Sequence, residues 1–231
     1  MRNYIAMIPA RMGSKRIPKK NVRYMLDKPL IQYPIELALQ CRRFSGVWVN
    51  TEDVPLGKAA ERMGASFHPR PAELASDTAT NRDFVREFLQ EHPCDYVVMV
   101  NPTSPLLRPE TLGGFLDCLD RGEFDTVLSV VSMQEEMFFR DEPLNFSLEE
   151  KINSQLLPPV ESVVWALTAW KRESFLSMEA AGRNPVFGGK LGKFAIPKDE
   201  ACDLDTEDDW RIAEGILMSR QVLREKRYLE L

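Results

Sequence analysis

The chain has 231 residues, 44% of them hydrophobic, and its formal net charge at pH 7 is −5. This length is enough for one large domain with a full hydrophobic core, and the acidic balance argues against a general nucleic-acid binder. Four cysteines without CxxC spacing and only two histidines argue against a zinc site and indicate free thiols in the cytosol.

No segment approaches the roughly 18 consecutive apolar residues of a membrane-spanning helix. Arg2 and Asn3 do not lead into a secretory signal with a small-residue cleavage site. The sequence therefore predicts a cytoplasmic protein with no membrane and no nucleic-acid partner.

The first predicted strand is the apolar run from Tyr4 to Ile8, and a loop dense in positive charge follows it. Gly13 and Ser14 give this loop turn freedom and backbone N–H groups. Cations and free amides suit a polyphosphate, although the spacing is neither that of a P-loop nor GxGxxG. A solvated basic loop or a nucleic-acid contact explains the charge equally well, but the position after a strand favours a ligand site. The cations are Arg11, Lys15, Arg16, Lys19, Lys20 and Arg23.

Helical and strand patterns alternate along the next 150 or so residues, which predicts an α/β fold with a parallel sheet and right-handed crossovers. Polar loops follow several of the strands, at Asn50–Asp53, Arg70–Thr78 and Asn101–Leu106. The predicted helices start at Pro29 and span 55–63, 80–91, 111–119 and 172–181, and the predicted strands are 47–49, 66–68, 96–100, 126–132, 163–170 and 193–196.

From 133 to 160 this alternation stops. Phe138, Phe139, Phe146 and Leu148 lie among prolines and charged residues, and aromatic side chains on a polar excursion are typical of an interface. A surface hairpin packed on its own sheet is the other interpretation.

Two carboxylates precede the last predicted helix, which spans about 206–227. If residues 203–205 are extended, Asp203 and Asp205 project to the same face. Paired carboxylates suit Mg²⁺, which completes its coordination with water and substrate phosphate. Alternatively, Asp205 or Thr206 caps the helix, which leaves Asp203 without a role.

Four segments resemble the acidic-sugar cytidylyltransferases, and among them the acylneuraminate (CMP-sialic acid) synthetase family most. They are Ile8–Asn21, Arg70–Ala79, Asn101–Leu112 and Asp203–Trp210, in the order of that family. The resemblance implies a single Rossmann-like nucleotidyltransferase domain over 1–231, with a mostly parallel sheet flanked by helices and a protruding dimerisation segment at 133–160. It further implies that CTP and a free sugar acid yield a CMP-sugar and pyrophosphate in a homodimer.

The resemblance also assigns roles to individual residues. Arg11 and Lys20 would grip the triphosphate, and Asp203 and Asp205 would hold Mg²⁺, so that these four form the catalytic set. No histidine base is expected, because His68 and His92 lie outside the motifs. The nucleotide-binding set would comprise Arg11, Gly13, Ser14, Lys20, Asn21, Arg70, Thr80, Asn81 and Asn101.

The chain departs from the family pattern at three places. Asn101 stands where the family usually has Gln, Glu52 where it has Asp, and Ser162–Trp165 where sialate enzymes have RPNG. The last change removes polar partners for the sugar acid, so pseudaminic, legionaminic and octulosonic acids are alternative acceptors. Arg140, Arg183 and Lys190 are candidate substitutes for the missing arginine. There are two competing functional hypotheses. The chain is a nucleotide-sugar-binding or regulatory protein without catalysis, or it is an enzyme that transfers another nucleotide.

Overall fold

The computed structural model describes residues 2–222, and over this part of the chain seven strands form one central sheet. Two further pairs, β2–β3 and β8–β9, form separate hairpins. In chain order the strands are Tyr4–Pro9 (β1), Tyr24–Met25 (β2), Lys28–Pro29 (β3), Phe44–Thr51 (β4), Ser66–Pro69 (β5), Tyr96–Val100 (β6), Thr126–Met133 (β7), Phe138–Phe139 (β8), Glu142–Pro143 (β9), Val160–Lys171 (β10) and Leu191–Ala195 (β11).

The central sheet has the order β11-β7-β10-β6-β1-β4-β5 and is mostly parallel, as the sequence predicts. Strand β10 is the exception, because it runs antiparallel to both of its neighbours, β6 and β7. The prediction of a mostly parallel sheet is therefore confirmed, and β10 is the strand that departs from it. The reason is the connection: residues 134–159 join β7 to β10 without a crossover helix, and parallel pairing needs such a crossover.

Helices flank the sheet, and most begin and end within two residues of the predicted bounds. The first predicted start is wrong, because Pro29 lies in β3 and the helix begins three residues later. The last predicted helix begins at Glu207, and its predicted residues 223–227 lie outside the described residues. The helices are Gln32–Cys41 (α1), Val54–Arg62 (α2), Asn81–Glu91 (α3), Pro109–Asp120 (α4), Arg172–Ala180 (α5) and Glu207–Gln221 (α6).

Side chains of the central strands alternate between two apolar layers. Ala6 and Ile8 of β1 pack into one layer, and Ile5 and Met7 pack into the other. A third apolar cluster lies outside the sheet and joins the basic loop to the C-terminal segment. It contains Ile17, Met25, Leu30, Leu106, Leu204, Trp210 and Ala213. The third cluster brings residues about 190 positions apart in sequence to one end of the sheet.

None of the helices within residues 2–222 is long and apolar enough to span a membrane.

Candidate active site

A cleft of about 490 Å³ opens where the carboxyl ends of β1 and β6 meet, which is where open α/β sheets bind ligands. Its wall contains seven of the residues that the sequence assigns to a nucleotide: Arg11, Ser14, Lys20, Asn21, Arg70, Asn81 and Asn101. The rest of the wall is Pro9, Lys15, Arg16, Asp77, Phe84, Met99, Pro102 and Thr103.

The basic loop is fixed at both ends by buried contacts. Asn21 is buried and donates from Nδ2 to the carbonyl oxygen of Arg11 at 2.9 Å. The Met12 N–H donates to Oε1 of Glu52 at 2.8 Å, and Ile17 is fully buried in the third cluster. Because these anchors hold the backbone, the cations between them face the cleft from a defined position.

Two cations of the loop share Asp77 as their counterion. Arg11 Nη1 lies 2.9 Å from the Asp77 carboxylate, and Lys15 forms a second ion pair with it. The hydrogen bonds from Lys15 and Arg11 hold the pKa of Asp77 below its usual range. A phosphate that binds Arg11 and Lys15 must therefore compete with this carboxylate.

Lys20 is the most enclosed cation of the loop. Its Nζ donates to the Leu204 carbonyl oxygen at 2.5 Å. Burial lowers the pKa of the Lys20 ammonium, and the nearby carboxylates of Asp203 and Asp205 oppose this shift. The left-handed backbone residue that turns the chain into this position is Lys19, with φ of 54°, rather than Gly13 or Ser14.

The two C-terminal carboxylates, Asp203 and Asp205, are not among the residues that line the cleft, and their binding of a metal stays a prediction. Leu204 is fully buried between them, and its N–H donates to the Thr103 carbonyl oxygen at 3.0 Å. Asp205 pairs with Arg16 at 2.7 Å. The helix cap is Thr206, which forms a capping box with Asp209. The cap thus leaves both Asp203 and Asp205 outside the helix, and the alternative in which Asp205 is the cap is wrong.

Arg70, Asn81 and Asn101 line the same cleft as the basic loop. Arg70 is buried, and its guanidinium carbon lies 4.6 Å from the centre of the Phe84 ring. Burial lowers the pKa of Arg70 to about 10, against the opposing effect of Glu52 and Glu87. Asn101 accepts the Thr103 N–H on Oδ1 at 3.2 Å.

Two predicted nucleotide contacts, Gly13 and Thr80, lie outside the cleft wall. Gly13 is exposed at the tip of the loop. Thr80 is the N-cap of α3, and its hydroxyl donates to the Asp83 carboxylate at 2.7 Å. Their contact with a nucleotide stays a prediction.

The segment Ser162–Trp165 runs into a bulge of β10. Ser162 and Val163 pair regularly with β7, and the next regular pair is Thr168 with Leu128, so on the β7 side residues 164–167 face Ser129 alone. The buried Ser129 hydroxyl closes the bulge: it donates to the Val164 carbonyl oxygen and accepts the Leu167 N–H at 3.0 Å.

The bulge brings an apolar side chain towards the same end of the sheet. The carbonyl oxygen of Ala166 accepts the Asn101 N–H at 3.0 Å, and the Trp165 ring lies 5.7 Å from that of Phe187. Aromatic side chains therefore lie in the segment where the family resemblance leads us to expect polar partners for the sugar acid.

The proposed substitutes for the missing arginine do not line the cleft. Lys190 is wrongly placed for that role, because its backbone pairs with Asp125 and Thr126 at the amino end of β7. Arg140 lies in the turn of the β8–β9 hairpin, and Arg183 follows α5.

Both histidines lie outside the cleft wall. His68 Nδ1 is 3.0 Å from His92 Nε2, and His68 Nε2 is 2.9 Å from the Glu87 carboxylate. This chain of contacts lies between β5 and α3, and the absence of a histidine base stays a prediction.

Sequence reasoning missed several wall residues. The sequence predicts Phe84 and Met99 to be ordinary core residues. An apolar pattern does not distinguish a side chain that lines a cleft from one that packs in the core. Asp77 and Thr103 lie within motifs that the sequence singles out, and Asn50 lies within a polar strand end, so their segments, but not their contacts, were detectable.

Comparison with known proteins gives one family. A family model described as "Cytidylyltransferase" matches residues 5–156. The chain is 29% identical over 216 residues to an N-acylneuraminate cytidylyltransferase A of Danio rerio, covering 92% of this chain and 50% of that protein. It is 40% identical over 114 residues to a CMP-N,N'-diacetyllegionaminic acid synthase of Legionella pneumophila, covering 47% of this chain and 49% of that protein. The chain spans about half the length of the curated relatives it matches.

Among solved structures, a CMP:2-keto-3-deoxy-manno-octonic acid synthetase complexed with CTP has a TM-score of 0.68. The match covers 95% of this chain and 100% of the other, at 20% sequence identity. This likeness supports the nucleotidyltransferase fold expected from the sequence.

Proposed function

The chain belongs to the cytidylyltransferase family, and on this premise we propose that it transfers CMP from CTP to an acidic sugar and releases pyrophosphate. The observation that carries the proposal is the group of cations that line one cleft, Arg11, Lys15, Arg16 and Lys20, with Lys20 bonded to the carbonyl oxygen of Leu204, the residue between Asp203 and Asp205. A triphosphate is a ligand whose negative charge matches these cations, and a divalent cation would link it to the carboxylates.

In this reaction an oxygen of the sugar acid forms a bond to the α-phosphorus of CTP, and the bond from that phosphorus to the bridging oxygen of the β-phosphate breaks. The acceptor hydroxyl gives its proton to water or to a phosphate oxygen of the substrate, and pyrophosphate leaves with the bridging oxygen. Arg11 and Lys20 neutralise negative charge on the phosphates, and a fixed cation in a partly dry site does so more effectively than one in water.

The carboxylate pair fits Mg²⁺ by the chemistry of its donors. Asp203 and Asp205 offer hard oxygens outside the helix cap. No group of three or more His, Cys, Asp or Glu side chains within residues 2–222 could hold a metal, and Mg²⁺ commonly takes one or two carboxylates with water and phosphate. When bound, the ion would neutralise triphosphate charge. Asp205 would release Arg16, which could then meet the nucleotide.

The cytidine is proposed to lie against Arg70, Asn81 and Asn101. These residues line the cleft together with the basic loop, and Phe84 supplies an apolar surface beside Arg70. The acceptor is proposed to lie beyond Asn101, towards the bulge of β10 and Trp165. Because aromatic surface replaces polar groups there, a nonulosonic acid other than sialic acid fits the proposal best.

The experiment measures pyrophosphate release with CTP, UTP, GTP and ATP and a panel of sugar acids. The panel contains sialic, legionaminic, pseudaminic and octulosonic acids. We expect release with CTP and one of these acids in the presence of Mg²⁺. Tight CTP binding without release from any acceptor would instead favour a nucleotide-binding protein that lacks catalysis.

A homodimer built on residues 133–160 is part of the proposal, and its support is uncovered apolar surface. The β8–β9 hairpin is not part of the central sheet, and Phe139 is 64% exposed. Phe138, Leu144 and Leu148 are exposed beside it. Surface of this kind is typical of an interface.

We also propose a cytosolic location, because all four cysteines are free thiols.

Phe139→Lys is expected to yield a monomer without loss of folding, because a charged side chain would be buried unpaired in the interface. Light scattering at about 10 µM would measure the mass, and the thermal midpoint would report the fold. Val54→Lys is the control, since Val54 is an exposed apolar residue on α2. A wild-type chain that is monomeric at that concentration would contradict the proposal.

A further inference from the structure

Asn50, at the carboxyl end of β4, holds the guanidinium of Arg70 with two oxygens. Arg70 Nε donates to the Asn50 side-chain Oδ1, and Arg70 Nη2 donates to the Asn50 carbonyl oxygen at 2.7 Å. Asn50 is fully buried, and Arg70 is 6% exposed. Any residue at position 50 offers the backbone oxygen, so the side chain decides the bond to Nε and a weaker one, from Asn50 Nδ2 to Met7 Sδ at 3.5 Å.

The end of β4 also links Arg70 to the basic loop. The Asn50 carbonyl oxygen also accepts the Ala10 N–H at 3.0 Å, and the Arg70 N–H donates to the Thr51 carbonyl oxygen at 3.0 Å. Ala10 directly precedes Arg11, so the end of β4 sets the distance between the basic loop and the guanidinium.

The guanidinium is fixed in its plane as well as in its position. Two bonds use Nε and Nη2, and the Phe84 ring lies close to the guanidinium carbon. Both N–H groups of Nη1 and the second one of Nη2 are then left as donors, and Arg70 lines the cleft. A planar group held by two bonds and one aromatic ring has little freedom to rotate.

We propose that Asn50 is a positioning residue that sets the preference for the nucleobase by fixing the plane of Arg70. This inference rests on the proposed function, in which Arg70 faces the cytidine. A guanidinium only donates hydrogen bonds. Cytosine offers acceptors at O2 and N3, whereas uracil has the O2 acceptor but an N–H donor at position 3. A fixed guanidinium therefore attracts cytosine and opposes uracil, whereas a rotating one can use the O2 that both bases share.

The test compares CTP with UTP for Asn50→Leu, which keeps the size of the side chain and removes the acceptor. We expect KM for CTP to rise about tenfold and the CTP-to-UTP ratio of kcat/KM to fall about tenfold or more, with kcat changed less than about threefold. Asn50→Asp keeps an oxygen at the position of Oδ1 and is expected to restore most of the ratio. Thr126→Val removes another buried hydrogen bond, from Thr126 Oγ1 to the Gly188 carbonyl oxygen at 2.8 Å, and is expected to leave the ratio unchanged.

A double-mutant cycle with Arg70→Met separates positioning from general damage. If Asn50 acts through Arg70, Asn50→Leu changes kcat/KM for CTP less than about twofold in the Arg70→Met background. The double variant replaces both buried polar partners by apolar groups, so it is expected to fold even if Asn50→Leu alone does not. Equal effects of Asn50→Leu in both backgrounds would overturn the inference.

Calorimetry of CTP and UTP binding without a sugar acid distinguishes a failure of the proposed function from a failure of the role of Asn50. A wild-type chain that does not bind CTP overturns the proposed function and the inference together. A wild-type chain that prefers CTP, with a folded Asn50→Leu variant that keeps the same preference, overturns only the role of Asn50.

Discussion

Replacing Lys20 by methionine is expected to lower kcat/KM for CTP by about 10²- to 10³-fold, the loss found when a fixed donor to a developing negative charge is removed. Lys20 is the half-buried cation of the basic loop, and its Nζ lies 2.5 Å from the Leu204 carbonyl oxygen. Methionine keeps most of the apolar stem and removes the ammonium together with its hydrogen bond to Leu204. Steady-state pyrophosphate release measures the effect.

Lys58→Met is the matched control, because Lys58 is exposed on α2. It is expected to leave kcat/KM unchanged. If Lys20→Met keeps more than about a third of the wild-type kcat/KM, Lys20 does not contact the reacting phosphates and the placement of the triphosphate is wrong.

The lowered pKa of Lys20 gives this prediction a dependence on pH. Burial lowers the pKa, and the carboxylates of Asp203 and Asp205 only partly oppose it. The ammonium is charged below its pKa and neutral above it. Activity that depends on the charge therefore falls as pH rises through a pKa below that of an ordinary lysine, and Lys20→Arg is expected to remove this alkaline limb.

The sequence predicts the parallel part of the sheet well, because local pattern and burial agree there. Tyr96–Val100 is apolar at every position and is buried on both faces, which is the pattern of a central parallel strand. The sequence does not predict the direction of β10, because that direction depends on the segment that connects β7 to β10. Val160–Lys171 has the same apolar pattern in either direction, so no property of its own residues shows that it runs antiparallel.

The site is predictable where charge and strand ends coincide. Arg11, Lys20 and the polar residues after β6 were detectable because they follow strands whose carboxyl ends meet. The pairing of Arg70 with Asn50 was not, because it joins residues 20 positions apart through a side-chain bond in the interior. Sequence spacing reports which face of a strand a residue occupies, but not which partner it finds across a loop.

The third apolar cluster explains why the basic loop packs against the segment around Leu204 and Trp210. Ile17 in the basic loop packs with Leu204 and Trp210, and the Arg23 guanidinium carbon lies 4.3 Å from the centre of the Trp210 ring. A basic loop without this cluster would be a solvated one, as its charge alone allows. The buried isoleucine among cations is the feature that marks the loop as structured.

Asp203→Asn and Asp205→Asn are each expected to lower kcat by about a hundredfold or more with the fold intact, since a metal ion contributes several kcal/mol of charge stabilisation. Asparagine keeps the shape of the side chain and removes its charge. Leu204, which anchors the segment, is unchanged and buried, and the cap formed by Thr206 and Asp209 does not involve either residue's side chain. Thermal melting should therefore show little change.

Asp208→Asn is the matched control, because Asp208 lies in the same segment and pairs only with Arg211 among the contacts of residues 2–222. Titrating Mg²⁺ at saturating CTP would separate a metal role from a purely electrostatic one. Loss of a metal ligand raises the Mg²⁺ concentration needed for half of the maximal rate, whereas loss of a partner for Lys20 or Arg16 lowers kcat without moving that concentration. If both variants keep wild-type turnover and Mg²⁺ dependence, these carboxylates do not hold the metal.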